Sequence, residues 1–591
     1  MSKFLPISKE DLRHRGWSEL DIILVTGDAY VDHPSYGAAM IGRVLEDAGF
    51  KVGIIAQPDP GKLDDFKRLG SPKLFFGVTA GNLDSMIANY TANKKVRNVD
   101  DYSPGGKAHL KPDRATIVYV NRLRQAFKDA PIVIGGMEAS MRRLAHYDYW
   151  SDKVRRSLIL DAKADMLVYG MGERQAIEIA GRLKAGENIA QINDVRGTVV
   201  VRKSLDEVRD CIEIASFEEV SADKAKFNDA FKAAYLEADP VRGKTIVQKH
   251  ADRFVVQYPP AVPLSQHRLD KFYSLPFVRD WHPSYNAAKG VPGFESVRNS
   301  VTSHRGCAGA CNFCSLYLHQ GRIVQSRGIE SIVKEIRLIA QDKQFKGTIT
   351  DIGGPTANLF KAECPSWKSK GACRDKKCLM PQKCGNLKLG YGDSITLWKE
   401  LKKLPNLKHV FVGSGVRYDL LTDTYADEYF NKLCAEHISG QLKIAPEHCS
   451  DSVLELMNKP KFAVYLKFMD KFENINKRIG RKQYLVNYFI VGHPGAGLED
   501  ALRLAVYLAK KRIHPEQVQD FIPLPMTVSG AMYYTEIDPF TGKKIYVAKK
   551  PSERMMQRAL LQYANPQNRA YVRKALKILG KESLVSIFLR P

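Results

Sequence analysis

Twice along the chain, short runs rich in β-branched and aromatic residues, ending in glycine in the first series, lead into segments with helical spacing of apolar side chains. LDIILVTGDAYVDHP, KLFFGVTAG, APIVIGGMEAS and ADMLVYGMGERQAIEIAGRL form the first series. GTITDIGG, LKHVFVGSG, GQLKIAPE, YLVNYFIVGHPG and EQVQDFIPLPM, after ESVRNSVTSH, form the second. A strand that is followed by a helix and then by another strand returns to the same sheet by a crossover, so this alternation predicts parallel α/β architecture. The first series predicts a doubly wound, Rossmann-like α/β domain over residues 1–205. The second, with six strand-helix steps, predicts a partial TIM-type β/α barrel over 291–530 whose working residues stand at the carboxyl ends of its strands. Between them, YPPAVPLSQ and WHPSYNAAKGVPG interrupt the pattern, and 206–290 reads as a packed connector. Residues 531–591 read as a basic helical C-terminal region. A chain of 591 residues is too long for one hydrophobic core, which agrees with this division.

The glycines Gly27, Gly135, Gly136, Gly170 and Gly172 fall where strands of the first domain end. Ligand-binding loops and plain structural turns both use glycine there. None completes the GxGxxG fingerprint, which disfavours a nicotinamide or flavin cofactor. The net charge of +25 favours polyanionic partners such as RNA, and residues 541–591 alone hold twelve Lys or Arg against two Glu. A solvated helical face accounts for that segment equally well. MSKFLPISKEDLRHRG has no apolar run of the kind found in secretory signals, and no apolar stretch reaches the roughly 18 residues of a membrane span. The expectation is a cytoplasmic protein without a membrane partner.

Ten cysteines are too few to staple a chain of this length, yet seven of them lie between Cys307 and Cys384. In a reducing compartment such clustering points to metal. In RGCAGACNFCSLYLHQGR, Cys307, Cys311 and Cys314 have the spacing C-x3-C-x2-C, just after the first barrel strand. A short loop around a four-iron cube can put thiolates on three corners and leave the fourth iron open. Structural zinc would need a fourth ligand at a typical spacing; His304 and His319 are nearby but do not supply one.

The motif resembles that of the radical S-adenosylmethionine (radical SAM) superfamily, which carries CxxxCxxC with an aromatic before the last cysteine, here Phe313. The wider set RGCAGACNFCSLYLHQGR, DIGGPTANLF, GVRYDLL, LKIAPEHCSDSVLELMNKP, YFIVGHPG, QVQDFIPLPMT, VTGDAYVDHPSYG and GGMEASMRR resembles the YgiQ family within it. The resemblance implies a [4Fe-4S] cluster on Cys307, Cys311 and Cys314 whose open iron binds S-adenosylmethionine. It also implies a one-electron donor such as flavodoxin or ferredoxin. Gly353 and Gly354 match the turn whose backbone receives the cofactor's amino group, although Pro355 lacks the carboxylate usual at the next position. Ser414 and Arg417 match polar contacts to ribose and carboxylate, a surface ion pair being the alternative for Arg417, and Val491 with Gly492 matches the strand that packs on adenine. His493 reads as a turn residue.

Cys364, Cys373, Cys378 and Cys384, in an insertion over 361–390, are separated by eight, four and five residues. Four thiolates suffice for zinc or for a second iron-sulfur cluster, and the spacing does not choose between them. Cys211, Cys434 and Cys449 read as core thiols. Lys443, Glu447 and His448, at the end of a barrel strand, are candidate substrate-facing residues, with an ion pair and a helix cap as the alternative. Superfamily members with an N-terminal α/β domain often bind cobalamin. The local Asp32-His33-Pro34-Ser35-Tyr36-Gly37 departs from the DxHxxG pattern of cobalt-ligating domains, so a corrinoid is not expected. RNA modification is the first substrate reading. A small molecule or peptide is the second, and a non-catalytic electron-transfer or scaffold protein is the alternative from another class.

Overall fold

The computed structural model describes residues 3–589, so the ends of the predicted 1–205 and 531–591 segments lie outside the described residues. The chain divides into two compact units. The first comprises residues up to Ser300 with Leu318–Gly321 and Trp367–Ala372; the second comprises Val301–Tyr317, Arg322–Ser366 and the residues from Cys373 on.

The first unit is built on a nine-stranded sheet. Its strands are β1 (Ile22–Thr26), β2 (Val52–Ala56), β3 (Phe75–Thr79), β4 (Ile132–Gly135), β5 (Met166–Val168), β6 (Thr198–Arg202), β7 (Cys211–Ile214), β8 (Thr245–His250) and β9 (Arg253–Gln257). The order is β7-β8-β9-β6-β5-β4-β3-β1-β2. β1 lies parallel between β2 and β3, with Ile22 opposite both Val52 and Phe75. Every residue of β1 and β2 is buried, as expected of strands covered on both faces. The expected parallel sheet extends only from β2 to β5; β6 runs antiparallel to β5, β9 to β6 and β8 to β9.

The segment expected as a connector therefore needs correction, because 206–290 contributes β7, β8 and β9 to the same sheet. Its strands are short and carry polar residues such as Gln248, Lys249 and His250, and prolines follow them. Sequence periodicity is weakest under those conditions.

The second unit opens with residues 301–305, tied to the next strand by the Ser303 amide donating to the Gly353 carbonyl at 2.7 Å. The following strands are β10 (Thr348–Ile349), β11 (Asp351–Gly353), β12 (His409–Val410), β13 (Gln441–Glu447), β14 (Tyr484–Val491) and β15 (Val518–Asp520). β10 pairs parallel with β12, Val416 bridges parallel to Ile444 of β13, and β13, β14 and β15 continue in parallel. This is the six-step β/α array the sequence predicts.

Helix α1 (Asp451–Leu456) follows β13, and α2 (Leu498–Lys510) follows β14. α2 starts where the Asp500 carboxylate accepts the Gly497 amide at 3.0 Å. It buries Leu498, Ala501, Leu502, Leu504, Ala505 and Leu508, which share one face at helical spacing. Each buried leucine contributes on the order of 1.5–3 kcal/mol. The C-terminal helices α3 (Pro551–Leu561) and α4 (Arg569–Ile578) close this core through Met556, Leu560, Val572 and Leu576. Among the described residues, no helix is long and apolar enough to cross a membrane.

Candidate functional site

Cys307, Cys311 and Cys314 lie on one irregular loop between the strand residues His304–Arg305 and the short helix Leu316–Gln320. The loop is held from outside. The Asn458 side-chain amide donates to the carbonyls of Gly309 (3.1 Å) and Ala310 (2.8 Å). The Asn312 amide reaches Met457 carbonyl at 3.0 Å, and its side chain reaches Leu456 carbonyl at 2.9 Å. Ser529 donates to Asn312 carbonyl at 2.9 Å. The end of α1 and the two residues after it thus form a bracket for the cysteine loop. Asn458 occupies that position with φ +56°, a conformation that Asn tolerates better than most residues.

The charges around the thiols are specific. Arg417, 6% exposed, points one guanidinium nitrogen at Cys311 Sγ, 3.5 Å away. Its other two nitrogens grip the Asp419 carboxylate at 2.9 and 2.7 Å. The fork expected to receive a ligand carboxylate is already occupied, so Arg417 acts on the thiols and not as a free clamp. Lys459, 5% exposed, lies 3.7 Å from Glu447 and over the Tyr418 ring.

Burial, with Cys311 close by, pushes the Cys307 thiol up to about 11, against the pull of the Gly309 amide, Arg417 and Lys459. Burial, with Cys311 and Cys307, raises Cys314 to about 12. Thiols so disposed ionise when a metal cation balances them. Gly309 leaves room for a close approach: a Cβ there would lie 3.0 Å from Arg417 Nη1 and 3.3 Å from Cys307 Sγ. The donor set, the two neighbouring cations and this clearance fit an iron-sulfur cluster held on three corners.

Other residues named from the sequence surround this loop unequally. A Cβ on Gly354 would strike the His304 ring at 2.6 Å, and one on Gly353 would strike Ser414 Oγ. The Gly353 carbonyl is taken by the Ser303 amide and hydroxyl. Ser414 donates its amide (2.9 Å) and hydroxyl (3.0 Å) to Asp351, a carboxylate that burial raises above its ordinary range. Lys443 is exposed and pulls in the opposite direction on Asp351, whereas Glu447 is buried against Lys459. The two candidate catalytic residues do not form one group.

His448 caps the turn before α1, accepting the Ser450 amide at 3.0 Å. Val491 requires correction, since its side chain packs with Phe489 into the core beneath α2 and α3 and its carbonyl accepts Phe521. Phe313 meets the buried His493 ring edge-on at 6.1 Å. His493 fixes its turn through Pro494 carbonyl and Ser529 hydroxyl. The Gly492 amide is held by Gln557 of α3 at 2.8 Å.

Sequence reasoning assigned no role to Asn312, Asp351, Asn458, Lys459 or Gln557. The Asn-Lys-Pro immediately after a helical run was the only local signal of the bracket.

In the four-cysteine insertion Cys378 is buried, Cys364 and Cys384 are half-buried, and Cys373 is exposed. Among the described residues no three His, Cys, Asp or Glu side chains converge as ligands of one ion, at either loop. In the first unit, the residues at the carboxyl ends of β1 and β3 are engaged with one another. Lys111 Nζ meets Asp28 at 2.7 Å, and the cavity bordered by Thr26, Asp28, Tyr30, Tyr36 and Asn82 measures about 10 Å³. His33 is 1% exposed, with Nδ1 accepting the Ser35 amide and Nε2 against Arg279.

Comparison with known proteins places these units in context. Residues 4–300 match the family described as Radical SAM N-terminal, and 301–508 match the Radical SAM superfamily. Residues 516–587 match a Domain of unknown function (DUF3362). A UPF0313 protein of Clostridium botulinum is 51% identical over 582 residues, 98% of this chain and 91% of that protein. Another from Methanocella arvoryzae is 51% identical over 579 residues, covering 98% and 96%. Among solved structures, the cobalamin-dependent S-adenosylmethionine radical enzyme OxsB with aqua-cobalamin bound aligns over 97% of this chain and 77% of its own, with TM-score 0.51 and 10% identity. That likeness is one of fold. The sequence-based expectation against a corrinoid draws no support from it.

Proposed function

The chain belongs to the UPF0313 family of radical SAM enzymes, and from that premise we propose that Cys307, Cys311 and Cys314 hold a [4Fe-4S] cluster for reductive cleavage of S-adenosylmethionine. When bound, the cluster supplies the one electron that splits the cofactor into methionine and a 5′-deoxyadenosyl radical. The observation that carries this reading is the thiol loop bracketed by Asn458 and Asn312 with Arg417 and Lys459 beside it.

In this reading Asn458 and Asn312 hold the loop in position, so that binding iron does not have to order it. Arg417 and Lys459 favour thiolate over thiol and offset the negative charge of three sulfurs. Gly354 offers backbone, and Ser414 with Asp351 offers a hydroxyl and a carboxylate, to the polar groups of S-adenosylmethionine. Phe313 and the buried His493 exclude water from one side. Lys443, exposed beside Asp351, is the candidate substrate-facing cation. The electron comes from a protein donor of the flavodoxin or ferredoxin kind, in the cytoplasm.

Anaerobic reconstitution with dithionite and S-adenosylmethionine tests this reading by the appearance of 5′-deoxyadenosine. Unchanged yield from Cys311→Ala would sink it.

The substrate reading favoured here is RNA, supported by one surface. Arg569, Arg573, Lys574, Lys577 and Lys581 are all exposed on and just after α4, and α4 contains no acidic residue. Binding of single-stranded RNA is expected to weaken with salt, with a log–log slope of about 0.7 per phosphate contacted. Replacing these five residues by Gln is expected to remove that salt dependence. Salt-insensitive binding, or none, would turn the choice to a small molecule or peptide.

A further inference from the structure

The insertion at 361–390 is a lobe closed at its neck. Glu363 and Lys388 form an antiparallel bridge, their amides and carbonyls exchanging bonds of 3.0 and 2.9 Å. Four of the chain's ten cysteines lie between these two residues. Apart from the single turn Ser366–Ser369, the lobe's internal backbone hydrogen bonds among the described residues are Cys384 to Cys378 carbonyl (2.8 Å) and Leu387 to Cys384 carbonyl (3.0 Å). Both bonds begin or end on a cysteine. Side chains hold other points of the lobe's backbone: Asp239 accepts the Ala372 amide at 2.8 Å, Arg242 donates to the Ala372 carbonyl at 3.3 Å, and Lys383 donates to the carbonyls of Cys384 (3.4 Å) and Leu387 (3.2 Å).

The thiols gather around Cys378, the buried one. Its carbonyl accepts the Cys384 amide, the Cys384 carbonyl accepts Leu387 next to the neck that carries Cys364, and Arg322 holds the Cys373 carbonyl. These bonds bring the four cysteines together along the backbone, and among the described residues no three of their side chains converge on one ion, as at the three-cysteine loop.

The two cysteine loops are also tied together. Arg322, eight residues after Cys314, donates to the carbonyls of Cys373 (3.2 Å) and Lys376 (3.4 Å). Lys377, next to Cys378, reaches the side-chain oxygen of Asn312, next to Cys311, at 3.4 Å. Residues 364–384 hold six Lys or Arg against one Asp, a local charge that suits an anionic cluster bearing four thiolates.

We infer that Cys364, Cys373, Cys378 and Cys384 ligate a second iron-sulfur cluster whose task is to relay electrons to the cluster on Cys307, Cys311 and Cys314. The inference rests on the reading of the three-cysteine loop given above. Four thiolates occupy every corner of a four-iron cube, so no iron remains open to a substrate and electron transfer is the chemistry left. A structural zinc would have no use for the direct link to Asn312, and the spacing departs from the paired CxxC knuckles of zinc ribbons. No bond is made or broken at this site. A reduced flavoprotein or iron-sulfur protein delivers one electron, and the same electron leaves for the three-cysteine site, returning the four-cysteine site to its starting state.

The test is metal analysis and electron paramagnetic resonance of the full chain, purified and reconstituted without oxygen. The wild type is expected to hold about eight irons and eight sulfides per chain, and Cys307→Ala/Cys311→Ala/Cys314→Ala about four of each, in a reduced signal that S-adenosylmethionine does not perturb. Cys373→Ser/Cys378→Ser is expected to keep the S-adenosylmethionine-responsive signal and lose the other. Its turnover should fall further with a protein donor than with dithionite. About four irons in the wild type, one zinc per chain at the four cysteines, or a triple variant free of iron would each overturn the inference. The triple variant makes no 5′-deoxyadenosine in any case, so its iron content tests the second site even if the first reading fails. If the double variant does not fold, the triple variant still decides.

Discussion

The cysteines of both loops belong to one unit and the loops are joined through Asn312 and Lys377, yet they are held in different ways. Around Cys307, Cys311 and Cys314 the protein grips the backbone at Gly309, Ala310 and Asn312, with donors and acceptors from the end of α1 and from Ser529. Around Cys364 to Cys384 the grip is at the neck and through single side chains, Arg322 on the Cys373 and Lys376 carbonyls, Asp239 and Arg242 on Ala372, and Lys383 on the Cys384 carbonyl. A loop that must keep one iron open has to be shaped by something besides its metal, because three ligands alone do not define the fourth position. A loop that saturates its metal can be shaped by the metal itself.

The largest effect that separates the loops is chemical. Cys311→Ala is expected to abolish 5′-deoxyadenosine formation, whereas Cys378→Ser is expected to reduce turnover with a protein donor and leave dithionite-driven cleavage measurable. Equal loss in both would erase the distinction.

Removing metal is the next test. After chelation under reducing conditions, hydrogen exchange in 364–387 is expected to rise towards the rate of an unfolded segment, while 306–315 keeps protection from the Asn458 bracket. Equal exchange of the two loops would show that the bracket does not work as described.

Acid sharpens the contrast in the metal-free protein. Burial lowers His304 to about 4, with Thr356 backbone partly restoring it. Burial lowers His448 to about 4 and His493 to about 3. Folded values below the ordinary value near 6.5 mean that the unfolded chain takes up protons first. The stability these groups lend is complete above about pH 6.5 and is lost as pH falls towards 4. At pH 5 the loss is about 2 kcal/mol for each histidine. The sequence between Cys364 and Cys384 contains no histidine, so between pH 7 and 5 protection against exchange, corrected for the intrinsic pH dependence, should fall around 304–315 and 448–493 more than in the insertion.

The smallest predicted effect concerns a single side chain. Asn458→Ala leaves the Gly309 and Ala310 carbonyls without their donor, at a cost of about 1–3 kcal/mol in thermal unfolding. Its cluster should also be lost faster to a chelator than in wild type. Asn458→Asp, which cannot donate, should resemble Ala; if it resembles wild type, the bracket is not made by hydrogen bonds.

The glycine-ended strands and the cysteine spacings could be read without coordinates, because both depend on residues a few positions apart. The same is true of His493 as a turn residue, while for His448 the sequence left a substrate-facing role and a cap open. Reading failed where a choice between two faces or two partners was involved. Val491 lies on a strand whose two sides both look apolar, and only the packing of α2 and α3 shows which side it takes. Arg417 had a carboxylate two residues away, and whether its fork would close on Asp419 or stay open depended on the burial of both. The strands β7 to β9 were hidden because a sheet edge can be completed by short polar runs once neighbouring strands exist to pair with them.

The sequence by itself determined that two α/β units follow one another, that three thiols share a cluster-sized loop and that four more share a second. It could do so because covalent spacing and hydrophobic period are local. The tertiary structure decided which residues hold the first loop, which cations face its sulfurs and that the second loop is tied to it. Asn458 is 148 residues from Ala310, and Arg417 is 106 from Cys311. Partnerships over such distances are settled by which surfaces meet when the strands and helices pack, and no short-range pattern records them.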